Sequence, residues 1–360
     1  MATMNGLKYK PDFERAQNYV GAFWNKEIID RPLVCVTAPM NRENQRPMKR
    51  YVYLQNMNSE EDYRCKMEEF EEIAAATYYG GEAMPSFHAT FGPDQYAAFM
   101  GAKIHYANNT GTSWVDPCLD KIAGANIELD DRKGSLFDKY LEFSRYFTQY
   151  SKGKFFQIIA DLHGNMDCLS AMRSPMNICY DIKDHPEEVM EALEKVLKTY
   201  PRIVNNLFDA ADTKNRGSCR IVHCKGRMAT VQCDFSCMLS PEDARRFVIP
   251  AVEMEASCLD HSQYHFDGKD ALGHLDDILA IPKLDFIQFV PGAGQPRSVE
   301  WLDVLKRIQA SGKGLYIYDW KADEIRKFYK ELRPEGLLFS LHVSTPAEAE
   351  DLLEWLIKNT

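Results

Sequence analysis

The sequence predicts an α/β protein, a (β/α)8 barrel (TIM barrel) carrying an N-terminal helical extension and inserted elements. Three observations lead there. From residue 155 to the C-terminus, short β-branched and aromatic runs alternate with longer amphipathic stretches. Such alternation implies parallel strands, because a parallel pair needs a crossover of about a dozen residues or more. The last four runs recur roughly every 20 to 30 residues, the rhythm of a (β/α)8 barrel. A doubly wound sheet shares that rhythm, but no Gly-x-Gly-x-x-Gly follows the first strand and no Walker motif occurs.

The expected strands, in order, are PLVCVTAP (32–39), FFQIIADLHG (155–164), CRIVHC (219–224) and SQYHFDG (262–268). DFIQFVPG (285–292), GLYIYD (314–319) and GLLFSLHV (336–343) follow. Each is rich in residues that fit a pleated, half-buried surface. Helices over 131–150 and 185–208 follow from their 3.6-residue apolar period. A further helix starts at Ser240-Pro241, with Ser240 as cap, Pro241 in the first turn and Asp243 three residues after the cap. Pro250 is expected to kink it. Thr345, Pro346 and Glu348 repeat the device for the last helix. The chain reads as one domain over 1–360, with 1–30 and 80–130 as decorations.

Composition narrows the function. With 360 residues, 45% hydrophobic and 27% charged, the chain is ordinary for a folded protein. A net charge of −10 argues against nucleic acid or an anionic membrane as partner, and the basic segment NRENQRPMKR is short. No run of about 18 apolar residues is present, so no membrane span is expected. The N-terminus lacks an apolar signal core, and ten cysteines then read as reduced thiols, which predicts a cytoplasmic protein. The sequon Asn108-Asn109-Thr110 loses its meaning on the same argument.

Chemistry in a barrel of this kind gathers where strands end. The expected strand ends supply Asp161, His163 and Asn165, then His223 with Cys224, then His265 with Asp267. Gln288, Asp319 and His342 end the remaining three. Any one of these could simply cap a loop, and CRIVHCKGRMATVQCDF could form a small hairpin with packed cysteines. His265 and Asp267 are the sharpest pair, since positions two apart on a strand share a face and Gly268 permits a tight turn behind them. With His342 they offer two imidazoles and a carboxylate, a donor set for zinc or another first-row divalent metal. A rival set draws on Cys233 and Cys237 with His223 or Cys224.

Three stretches resemble the uroporphyrinogen decarboxylase superfamily, whose barrels are also similar to cobalamin-independent methionine synthase. They are DLHGNMDCLSAMRSPMNICYDIKDHPEEVMEAL, VQCDFSCMLSPEDARRFVIPAVEME and YHFDGKDALGHLDDILAIPKLDFIQFVPGAGQP. The second matches a block of that superfamily through Asp234, Leu239-Ser240-Pro241-Glu242, Phe247 and Pro250. The third resembles the strand bearing His-x-Cys-Gly in its corrinoid methyltransferases and His-x-Asp-Gly in related members. The likeness is good over roughly the last 200 residues and loose before them.

The resemblance implies a methyltransferase-like enzyme that moves a methyl group between a small-molecule donor or acceptor and a corrinoid (cobalamin) on a partner protein, with no covalently bound cofactor. It implies a metal at His265, at Asp267 in place of a cysteine, and at His342 near the end of the last strand. Without thiolates the ion would be harder and suited to polarising a methoxyl or amine-bearing substrate. Asp161, His163 and Asp234 become substrate hydrogen-bonding or proton-donating groups, because demethylation leaves an oxygen or nitrogen in need of a proton. Asn165, His223, Gln288 and Asp319 become substrate contacts. One alternative is a cofactor-free decarboxylase or lyase, although Arg31 and NRENQRPMKR do not reproduce the arginine-rich motif that grips a polycarboxylate. Another is a non-catalytic barrel that stacks a corrinoid or tetrapyrrole on Trp114, Tyr264, Phe266, Phe289 and Trp320. A homodimer is compatible with all three readings.

Overall fold

A computed structural model describes residues 6–41, 51–107 and 112–360. Most of NRENQRPMKR and the sequon at 108–110 lie outside the described residues. In chain order the strands are β1 (Leu33–Pro39), β2 (Tyr51–Tyr53), β3 (Thr77–Gly81), β4 (Ser86–Thr90) and β5 (Ile104–Tyr106). Then come β6 (Ser113–Val115), β7 (Phe156–Ile158), β8 (Ser218–Cys219), β9 (His223–Cys224) and β10 (Met228–Gln232). The last are β11 (His261–Asp267), β12 (Phe286–Val290), β13 (Gly314–Ile317) and β14 (Leu337–His342).

Two parallel arcs carry the architecture. The larger runs β10-β11-β12-β13-β14-β1, all parallel, with β3 added antiparallel at its edge. The smaller runs β2-β4-β7-β8 in parallel and ends in the antiparallel β9, while β5 and β6 form a separate hairpin. Among the described residues no backbone ladder joins the arcs into one closed cylinder; the fold is mixed α/β with parallel sheets. Side chains bridge one seam: Met228 N–H donates to Ser218 Oγ at 2.8 Å, and Arg220 Nε donates to Thr230 Oγ1 at 2.8 Å.

Several sequence expectations need correction. The run 219–224 is not a strand but a tight hairpin, because Cys219 pairs antiparallel with His223. The true parallel strand there is β10, a fully buried run. Residues 86–90, expected within a decoration, form β4, an inner strand of the smaller arc between β2 and β7. The strand expected over 155–164 stops at Ile158.

Alternation along each strand separates two environments. Tyr264, Phe266, Ile287 and Phe289 join the main apolar core, whereas Gln263, His265 and Asp267 share the opposite face. On that second face the strand starts are apolar. Leu33, Met228, Phe286 and Leu338 pack on Tyr19, Val20 and Phe23 of the helix Phe13–Trp24, so the N-terminal extension covers one end. The strand ends on the same face are polar. Among the described residues no helix is long and apolar enough to cross a membrane.

Candidate functional site

The ladder register sets Gln232, His265 and Gln288 side by side on β10, β11 and β12. His265 Nδ1 lies 2.8 Å from Gln288 Oε1, which also accepts from Gln263 Nε2 at 2.9 Å. An amide oxygen only accepts, so Nδ1 carries the hydrogen and Nε2 keeps its lone pair for a ligand. Asp267 ends β11 on the same face, and the chain leaves through Gly268 at φ +85°, a conformation that favours glycine.

Asp234 joins them from the turn Asp234–Met238 that follows β10. That turn is fixed from both sides. The N–H groups of Asp234 and Phe235 donate to the Asp167 carboxylate at 3.1 and 2.8 Å, and His274 Nε2 donates to Ser236 O at 3.0 Å. Asn165, held at φ +43° and wholly buried, donates through Nδ2 to Gln232 O and to Glu255 Oε2 at 2.8 and 2.9 Å. A strained, buried asparagine persists only where its surroundings hold it. The outcome is that ligand atoms of Asp234, His265 and Asp267 lie within 4.8 Å of one another, as do those of His163, Asp167 and Asp234.

Crowded carboxylates shape the electrostatics. Burial pushes Asp234 up to about 6, reinforced by Asp167 and Asp267 and opposed by His163 and His265. Burial works against charge on His163, yet Asp167, Asp161, Asp234 and Asp94 together raise its pKa. Burial would raise Asp161 as well, but Arg220, whose guanidinium meets it at 2.5 Å, holds it below its usual range. Glu255 is pushed well above its usual range by burial. Asp234, His265 and Asp267 supply one imidazole and two carboxylates, a set that fits a divalent ion such as Mn, Fe or Zn and is too hard for a thiophilic one.

The expected residues divide. His163, Asp234, His265 and Asp267 come together; Asp161 stands beside them, bound to Arg220, and Asn165 and Gln288 act behind them. His342 does not join. It is exposed at the end of β14, with Nδ1 3.1 Å from Thr37 Oγ1, and three ladder spacings separate β14 from β11. No ligand cluster among the described residues contains His342; the third member beside His265 and Asp267 is Asp234.

His223 is a core residue, wedged against Phe13 and Phe156 and bonded to Gln17 and the Arg216 carbonyl, and burial lowers it to about 4. Cys224 is buried and its thiol pushed up to about 11, while Cys233 and Cys237 belong to no ligand cluster among the described residues, so the thiol set does not form. Asp319 accepts from the backbone and hydroxyl of Ser298, fixing a loop. Tyr264, Phe266, Phe289 and Trp320 are buried in the main core, which leaves of that proposed stacking surface only Trp114 exposed.

Gln232, Asp167, Arg220 and Glu255 were not singled out from the sequence. One signal for Asp167 was legible: Asp161, His163, Asn165 and Asp167 recur at every second position. Arg220 lies inside the run misread as a strand, and Glu255 resembles any acid on a helix.

No family model matches the chain, and no curated protein sequence matches it. Among solved structures, a methyltransferase from Methanosarcina mazei is similar, with a TM-score of 0.61 and 13% identity. The alignment covers 96% of this chain and 98% of that one. At that identity the likeness establishes a shared fold, over nearly the full length of both chains.

Proposed function

We propose that the chain is a methyltransferase-like enzyme whose two arcs form one (β/α)8 barrel with its site at the strand ends. It moves a methyl group between a small oxygen- or nitrogen-bound methyl compound and a corrinoid carried by a partner protein. The observation that carries this reading is the convergence of Asp234, His265 and Asp267 at the strand ends of a fold shared with a methyltransferase. The surplus of carboxylates, with Arg220 already engaged by Asp161, weighs against a polycarboxylate substrate and hence against the porphyrinogen decarboxylase alternative.

Asp234, His265 and Asp267 would hold a divalent ion, which supplies Lewis-acid polarisation of the atom bearing the methyl group. Gln288 fixes the His265 ring and Asp167 fixes the Asp234 turn, so the donors are arranged before binding. When the methyl leaves, the electron pair of its bond stays on oxygen or nitrogen. His163, raised in pKa beside its carboxylates, is placed to give the proton.

The test uses the purified full chain with cob(I)alamin and a panel of methoxylated and N-methylated small molecules, following loss of cob(I)alamin absorbance. Transfer from one class is expected, with H265A and D267N losing bound metal and at least about 100-fold in rate. Cobalamin binding with no turnover of any donor would overturn the reading in favour of a binding barrel. Release of carbon dioxide from a carboxylated substrate by metal-free protein would overturn it in favour of a lyase.

A further inference from the structure

We propose that this site takes two divalent cations, with Asp234 bridging the first position to a second formed by His163 and Asp167. This rests on the assignment of Asp234 as a ligand in the proposed function. His163 Nδ1 lies 3.7 Å from Asp167 Oδ2 and 3.8 Å from Asp234 Oδ2. Donors bonded to one ion at about 2.0 to 2.2 Å stand roughly 3 to 4 Å apart, so these edges already approach a coordination sphere. The two ligand sets have Asp234 in common, which is the arrangement of a carboxylate bridge.

Gln232 gives an independent indication. It is 1% exposed, and its Nε2 lies 3.1 and 3.2 Å from the two ring nitrogens of His163 and 3.2 Å from Asp234 Oδ2. Its Oε1, buried, has no hydrogen-bond partner. In that position Nε2 donates to Asp234 Oδ2 and faces the ring of His163, so one buried side chain orients a donor of each set, the outer-shell role that metal ligands ordinarily have filled.

The ions expected are of the Mn(II), Fe(II) or Zn(II) class, about 3.5 to 4 Å apart, with open positions for an oxygen-bearing ligand. Coordination of the second ion uses the His163 lone pair, so in the two-ion state His163 cannot also give the proton, which would then come from water at an open position.

The full chain titrated with Mn(II) and read by electron paramagnetic resonance provides the test. Two ions per chain with an exchange-coupled spectrum are expected. H163A and H163Q, which leave the backbone contacts of Asp167 in place, should bind one ion with an uncoupled six-line spectrum, and D234N should abolish the coupling. Saturation of the wild type at one ion, or two coupled ions persisting in H163A, would overturn the second position while leaving the first intact. No bound ion at all would overturn both.

Discussion

Glu255 shows what a single buried group does here. It is wholly buried on the helix Ile249–Ser257, and only Oε2 has a partner, the Asn165 amide. Burial raises its folded pKa, so the folded state holds the proton more tightly than the unfolded chain does. The stability this contributes is fully present below the unfolded value and is lost as pH rises toward the folded one. Glutamine has no proton to lose and keeps the oxygen that accepts from Asn165. E255Q is therefore expected to be more stable than wild type at pH 8, with the gap closing toward pH 5. Thermal denaturation at the two values checks this; equal destabilisation at both would contradict it. The same scale explains what the sequence could and could not show. His265 and Asp267 were legible because two positions apart on a strand fixes a common face. His223 was marked only by its place at an expected strand end, but a hairpin turned it into the core, and strand-end polarity alone does not reveal direction.

Helix starts were the most legible elements, since capping is local chemistry. Ser240 Oγ accepts from Asp243 N–H at 3.1 Å and Thr345 Oγ1 from Glu348 N–H at 3.2 Å, each followed by proline in the first turn. Before Pro250, where a kink is expected, the helix departs from α geometry. The helix widens into a π turn over Ala244–Val248 just before the proline, whose missing N–H cannot continue the i→i−4 pattern. Pro201, by contrast, lies inside the continuous helix Pro186–Ala210. Because the Ser240 cap opens the helix that follows the Asp234 turn, S240A should cost about 1 kcal/mol in chemical denaturation. A loss below a few tenths would show that the Lys183–Asp243 ion pair holds the helix start without it. Strands β4 and β10 escaped notice because both are buried on two faces, so no alternation marks them.

At the scale of the molecule, the α/β class and its parallel strands were readable from residue 155 onward, where strand and helix lengths are regular. Of the earlier half only β1 was, because most of the other strands there are three residues long and are separated by inserted turns and a hairpin. The candidate site was half readable. Its location at strand ends and the His265–Asp267 pair follow from register, whereas Asp234 as their companion depends on a turn pinned by Asp167 and His274 from distant segments. His342 was misplaced for the same reason, since sequence order says which strand ends are polar but not how far apart they stand around the sheet.

The most direct measurement is an anomalous-difference map from crystals of the full chain grown with Mn(II). A peak is expected within bonding distance of Asp234, His265 and Asp267, absent in crystals of H265A. A map with no peak there, or with its strongest peak at His342, would contradict it.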